Sequence, residues 1–323
     1  MSLLQIKGYI PGKGEIGLID APALADAKRI LDQEDDEWGN KIFHISGAIL
    51  LPYPNRITGS LSPDGKDVQA TVAGKSVSLP ANWRGKNPGA KVVAIHGLLM
   101  RAQFQGVQQH DGPNKSRVSA TFHAGDFRGH WLSQPDILVE AVLQDTTFDM
   151  HVETKNAGNE ILPMSVAFHP GFIFPSGQRG QVKLHVPAAQ RALVNNYDDV
   201  LPTGQIEDVK GTPYDFTATG GKELGAQFLD DTFFSLRRRS DGSATVEIVD
   251  PAAHYGLRIA ALSPAIKAIQ VYAPLGKNFV AVEPQFNMVD PYNKIWGDRD
   301  TGMAHLQPGE SVSWRVRLEI FTP

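Results

Sequence analysis

The sequence contains no cysteine, which removes disulfide frameworks, thiolate zinc sites and cysteine nucleophiles together. It has no basic excess. Lys and Arg number 31 against 35 Asp and Glu, a formal net charge of −4, so a nucleic-acid partner, which would ask for a basic patch, is not expected. No run approaches the ~18 apolar residues of a membrane-spanning helix. The stretch Met1 to Gly14 lacks the apolar segment of a signal peptide. A cytoplasmic protein with no membrane partner is the expectation. Disorder is excluded as well, because 41% of the residues are hydrophobic and only 20% charged in 323, enough apolar surface to close a core.

Helical signals are also few. The best candidate runs from about Pro22 to Gln33, with Asp20 as a possible cap, Pro22 in a first turn, and Leu24, Ala27 and Leu31 on one face. Its tail, Asp32 to Glu37, is a carboxylate run without the glycine turn of a calcium loop, and reads as solvated. What the chain does have is strand alternation. Val312, Trp314, Val316, Leu318 and Ile320 alternate with polar residues, the pattern of a strand with one buried face. Phe148, Met150 and Val152 repeat it, as do Val68, Ala70 and Val72 after the Asp64-Gly65 turn. Leu236 to Val249 reads as a hairpin with Asp241-Gly242 at its tip. Glycine (31) and proline (22) make up about a sixth of the chain, above the usual share, and turn dipeptides recur throughout. Many short strands and frequent turns predict an all-β fold, a single large antiparallel β-sandwich over residues 1–323.

Common motifs are missing. There is no P-loop, no G-x-G-x-x-G following a predicted strand, no H-E-x-x-H, no H-x-H and no G-x-S-x-G. Neither a metal nor a nucleotide cofactor is expected. The candidates are polar residues set in apolar runs, where burial perturbs ionisation. His96 ends Val92-Val-Ala-Ile95 and precedes Gly97. His169 lies in Val166-Ala-Phe-His-Pro170-Gly-Phe, where Pro170 must interrupt the strand or place it at an edge. Glu283 lies in Phe279-Val-Ala-Val-Glu-Pro-Gln285, and an unpaired carboxylate there is costly. Asn55-Arg56 places a guanidinium in an apolar stretch, where it needs an acceptor. Asp230 and Asp231 read first as a turn or cap pair; on a strand, as neighbours, only one of them would face any site. Arg237-Arg-Arg239 reads as a solvated strand. His44, His110, His123, His130, His151, His185, His254 and His305 lack comparable settings. Trp83, Trp131 and Trp296 are expected in the core.

In chain order, Leu51-Pro-Tyr-Pro-Asn-Arg-Ile-Thr-Gly59, Ala94-Ile-His-Gly-Leu98, Ala167-Phe-His-Pro170, Leu229-Asp-Asp-Thr-Phe233, Val282-Glu-Pro-Gln285 and Asp290-Pro-Tyr-Asn293 resemble the aldose 1-epimerase (galactose mutarotase-like) family, from about Gly47 to the C-terminus. The resemblance implies a galactose mutarotase-like supersandwich with a sugar cleft across one sheet, acting on the anomers of a free aldose; a monomer or homodimer is the expected assembly. It implies Glu283 as general base, His169 as general acid, His96 as the second histidine, and Asp230, Arg56, Asn55 and Gln285 as sugar-binding residues. Gly-Leu-Leu after His96 and Pro-Gly-Phe after His169 depart from the commoner galactose mutarotase pattern and fit broader branches. A glutamate beside His169 is expected to hold the imidazole charged, and the imidazole to hold the carboxylate ionised. The rival readings are a sugar-binding protein without turnover, a glycoside hydrolase using Asp230 and Glu283, and a sugar-phosphate mutarotase with Arg101 or Arg237 to Arg239 facing the cleft.

Overall fold

The computed structural model describes residues 3, 5–32 and 47–323. Its described residues are dominated by antiparallel strands in two large sheets. The larger, nine-stranded sheet includes Pro135–Gln144, Thr147–Asn156, Ser311–Phe321, Tyr255–Ala261 and Ala244–Asp250 as consecutive neighbours. The alternation read from the sequence sets its register. Phe148 pairs with Leu318, Met150 with Val316 and Val152 with Trp314, all six buried, so the apolar set of each strand meets that of its neighbour on one face. Val68, Ala70 and Val72 are buried in the same alternating way on Asp67–Val72.

The six-stranded sheet runs in the order Gly171–Ile173, Phe279–Gln285, Ala268–Ala273, Leu229–Leu236, Ala188–Val194, Pro202–Asp208. Its residues Leu229, Phe233, Ile269, Val271, Val280 and Val282 join one apolar core that also holds Met150, Val152, Trp314 and Val316 from the nine-stranded sheet. The fold is thus a sandwich, as the alternation predicts. Trp314 crosses it, its indole N–H donating to the Pro284 carbonyl 2.8 Å away.

Four local readings need correction. Leu236 to Val249 is not a hairpin. The turn at Asp241-Gly242 exists, with the Arg239 N–H donating to the Ser243 carbonyl. However, Leu229–Leu236 belongs to the six-stranded sheet and Ala244–Asp250 to the nine-stranded one, so the turn is a crossover between layers. Arg237 to Arg239 therefore lies outside any strand, exposed at its ends, with Arg238 donating to the carbonyls of Gly242, Ser263 and Ile266. The helix is Leu24–Leu31. Ala23 occupies its N-cap without a side-chain bond, and Asp20 instead donates its N–H to the Gly171 carbonyl. Of the predicted face, Ala27 is buried but Leu24 is 58% exposed. Finally, Gly12-Lys-Gly-Glu-Ile-Gly17 does carry the G-x-G-x-x-G spacing after a strand, Lys7–Ile10. It folds straight back as the antiparallel strand Gly14–Gly17, so no helix N-terminus follows to hold a pyrophosphate. The residues after Asp32 in the carboxylate run, and His44, lie outside the described residues. No helix among the described residues is long and apolar enough to cross a membrane.

Candidate functional site

The six-stranded sheet turns Leu229, Asp231 and Phe233 to the core, so Asp230 and Thr232 face the other way. Register carries this across the sheet. Thr232 lies opposite Gln270, and Gln270 opposite Glu283, giving one polar row across three strands. One step along, Asp230 lies opposite Tyr272, and Tyr272 opposite Ala281. Above these rows is a cleft of about 340 Å³.

Loops complete it. The strand at His169 breaks at Pro170 as expected: Ala167–His169 pairs with Ala48–Leu50, whereas Gly171–Ile173 pairs with Phe279–Ala281. His169 thus sits where the chain changes partners, which brings it beside Glu283. His96 follows the strand Val92–Ile95 with φ 63°, a left-handed conformation that costs a residue with a Cβ about 1–2 kcal/mol. The strain is held by the His96 N–H donating to the Asn55 carbonyl at 2.9 Å and the Leu98 N–H to the Leu51 carbonyl at 2.8 Å. Gly97 has φ 78°, and a Cβ there would stand 2.3 Å from the Leu51 oxygen, so only glycine fits.

The cleft wall gathers Asn55, Arg56, His96, His169, Asp230 and Glu283, residues scattered over more than two hundred positions of sequence. His169 Nε2 is 3.5 Å from Glu283 Oε1. The His96 and His169 rings meet edge to face, centroids 5.0 Å apart. An Arg56 nitrogen is 3.6 Å from Asp230 Oδ2, and another donates to Asn55 Oδ1 at 3.1 Å. Gln270 ties the set together. It donates to Asp230 Oδ1 at 2.7 Å and accepts from Asn55 at 3.2 Å and Thr232 at 2.5 Å. Asp230 and not Asp231 faces the cleft. Asp231 is wholly buried beneath it, paired with Arg191 at 2.6 Å.

Glu283 is only 2% exposed. Burial raises its pKa well above 4.5, the Asp230 carboxylate pushes the same way, and the Arg56 guanidinium opposes both. Asp230 is raised by burial, with Arg56 again opposing. The expectation that Glu283 is held ionised is therefore corrected: desolvation and the Asp230 carboxylate outweigh the Arg56 guanidinium.

Gln285 does not join the group. It is fully buried, donates to the Asn287 carbonyl at 2.6 Å and is not among the residues lining the cleft. Neither Arg101 nor Arg237 to Arg239 lines it; the latter three border a separate hollow with His185 and Thr245. Trp83, expected in the core, lines the cleft half-exposed, whereas Trp131 and Trp296 are buried. The sequence reading passed over Gln270, although it is polar within Ala268-Ile-Gln-Val-Tyr-Ala273, the same signal that singled out Glu283. It also passed over Tyr197, Phe228, Tyr272 and Phe279. Among the described residues, no group of three or more His, Asp or Glu is arranged to hold a metal ion.

The arrangement offers a buried carboxylate and an imidazole within reach of one small molecule, beside a guanidinium and amides suited to hydroxyl groups. The sequence matches the family described as aldose 1-epimerase over residues 24–319. No curated protein matches it. Among solved structures, a galactose mutarotase-like protein from Clostridium acetobutylicum is similar with TM-score 0.75 at 18% identity, over 95% of this chain and 86% of that one. An aldose epimerase homologue from C. elegans gives 0.73 at 16%, over 99% and 93%. A galactose 1-epimerase from Lactobacillus acidophilus gives 0.66 at 15%, over 95% and 85%. At these identities the likeness is one of fold.

Proposed function

Because the chain belongs to the aldose 1-epimerase family, we propose that it interconverts the α and β anomers of a free aldose, with Glu283 as general base and His169 as general acid. The observation that carries this reading is the 3.5 Å approach of His169 Nε2 to Glu283 Oε1 at the wall of a cleft that Asn55, Arg56, Asp230 and Gln270 also line. Glu283 removes the proton from the anomeric hydroxyl. The C1–O bond to the ring oxygen breaks, and His169 delivers a proton to that oxygen. The open aldehyde turns about C1–C2. Closure on the other face returns each proton to its donor, so the protein ends unchanged. Groups of this kind typically contribute ~10²–10⁴-fold each. A carboxyl raised toward neutrality is the better base, since proton transfer is most effective near the working pH. Arg56, Asn55, Asp230 and Gln270 orient hydroxyls, and His96 buttresses the His169 ring by its edge contact. The reading treats residues 1–323 as one domain, supported by a core that runs continuously from Ile6 to Leu318.

The free sugar is favoured over a sugar phosphate. Among the described residues, the lysine and arginine side chains that line the cleft are Arg56 and Lys86; Arg56 is already paired with Asp230, and Asp20 and Asp198 line the same space. Exchange spectroscopy of equilibrated D-glucose and D-galactose tests the proposal. Faster α–β exchange with protein than without is expected. Exchange at the solvent rate for these and a wider panel of aldoses would leave a binding protein as the better description.

A further inference from the structure

We propose that the hollow bordered by Arg237, Arg239, His185 and Thr245 binds a phosphate group, at a site separate from the cleft and independent of the acid–base reading. The hollow measures about 240 Å³, and none of the residues lining it lines the cleft.

Two crossovers between the sheets build it. The chain leaves the nine-stranded sheet after Lys183–His185 and enters the six-stranded one at Ala188. It returns through the arginines to Ala244–Asp250. The two crossovers are tied where the Arg237 backbone N–H donates to the Pro187 carbonyl at 2.6 Å. Ala244, Val246 and Ile248 turn to the core, so Thr245 and Glu247 face outward. His185 lies directly across the ladder from Glu247. The hollow is thus on the outer face of the nine-stranded sheet.

The three arginines differ in what they hold. Arg238 is spent on the carbonyls of Gly242, Ser263 and Ile266, which fixes the crossover. Arg237 is exposed, and among the described residues its side chain has no hydrogen bond or ion pair. Arg239 reaches Glu247 through one nitrogen at 3.3 Å, and Glu247 is shared with Arg258 at 3.1 Å. The other acids here, Asp241 and Asp215, accept from Ser243 and from Thr217. Arg237 therefore keeps all its side-chain donors, and Arg239 most of its own.

The remaining groups point to the same ligand. Thr245 is 3% exposed. Its hydroxyl has one contact, Ser243 Oγ at 3.5 Å, and the Ser243 proton goes to Asp241 at 2.7 Å. A buried hydroxyl so loosely held is a donor that lacks a good acceptor. His185 Nδ1 is 3.1 Å from the Ala218 carbonyl. A carbonyl only accepts, so Nδ1 carries the hydrogen and Nε2 is left for a ligand. Two guanidinium forks, a hydroxyl and a ring nitrogen suit an anion with several acceptor oxygens. A phosphate group spreads its oxygens over a tetrahedron, whereas a carboxylate offers a single edge.

Titration calorimetry at low ionic strength tests this, with inorganic phosphate, glucose 6-phosphate and acetate as probes. The proteins are wild type, Arg237→Gln, Arg239→Gln and Glu283→Gln. Saturable phosphate binding is expected, with acetate about tenfold weaker or more. Each arginine variant should weaken phosphate binding by about tenfold and leave anomer exchange unchanged. Glu283→Gln should bind phosphate as wild type does. Glucose 6-phosphate held tighter than phosphate through the same arginines identifies the ligand as a phosphate ester; equal binding identifies it as free phosphate. The histidine-ring NMR signals locate the anion even if a variant folds poorly: those of His185 should shift with phosphate, and those of His96 and His169 should not. The proposal is overturned if phosphate does not bind saturably, if acetate binds as well, if the loss falls on Glu283→Gln and not on the arginine variants, or if the His185 signals stay in place.

Discussion

Trp314, on the nine-stranded sheet, donates its indole N–H to the carbonyl of Pro284, on the six-stranded sheet, at 2.8 Å. Pro284 is the neighbour of Glu283, and among the described residues its strand has a ladder partner on the far edge only from Phe279 to Ala281. The bond therefore fixes a stretch of backbone that the sheet supports from one side, just where the proposed base is carried. Trp314→Phe keeps a buried ring but strands the carbonyl. A loss of about 1–3 kcal/mol in urea unfolding is expected, together with a fall in kcat at nearly constant KM. An unchanged kcat in a destabilised variant would confine Trp314 to packing.

The raised pKa of Glu283 has two consequences that differ in sign. For activity, the base works only when ionised. The acid limb of the rate profile should thus lie above the ordinary carboxylate range, following burial and Asp230. For stability, the folded protein holds the proton more tightly than the unfolded chain. Stability associated with Glu283 is therefore fully present below 4.5 and is lost as pH rises toward the raised folded value. Glu283→Gln removes this loss. The variant should be more stable than wild type at neutral pH, with the difference shrinking as pH falls toward 4.5. Urea titrations at several pH values measure it; a variant less stable at every pH contradicts the assignment.

Asp231→Ala leaves Arg191 without its buried partner and frees the Tyr197 hydroxyl, which donates to Asp231 at 3.0 Å. Loss of one member of a buried pair costs about 3–5 kcal/mol. Glu207, 2.7 Å from Arg191 Nε, should hold the loss toward the lower end. Chemical denaturation checks this, and a loss within the range of surface substitutions would show that the pair contributes little.

Gly97→Ala places a methyl group 2.3 Å from the Leu51 oxygen and asks alanine for φ 78°. A loss above about 1 kcal/mol is expected, with lower activity because His96 moves with its backbone. Wild-type stability and rate in this variant would mean that the turn before Leu98 tolerates another path.

Much of the site was legible because a polar residue inside an apolar strand is anomalous. Glu283, His169, His96, Arg56 and Asn55 stand out this way, Asp230 enters only through the family resemblance, and the structure brings all six to one cleft. Gln285 shows where that signal misleads. A buried amide that satisfies a backbone carbonyl looks the same in sequence as one that faces a ligand. Tyr272 and Phe279, which also line the cleft, left no such mark, since they are ordinary strand residues until the register is known. The large sandwich followed from alternation, which depends only on neighbours along the chain. The fate of Leu236 to Val249 did not, because Asp241-Gly242 specifies a tight turn but not which sheet receives the next strand. Asp20 was read as a cap for the same reason: its bond to Gly171 is a contact 151 positions away that no local pattern encodes.

The most direct test of the account is polarimetry on freshly dissolved α-D-glucose and α-D-galactose with wild type and Glu283→Gln. Wild type should speed the approach to anomeric equilibrium, and the variant, still folded and still binding sugar, should be slower by ~10²-fold or more. A folded Glu283→Gln protein that matches the wild-type rate would contradict the assignment of the base, and with it the chemistry proposed for the cleft.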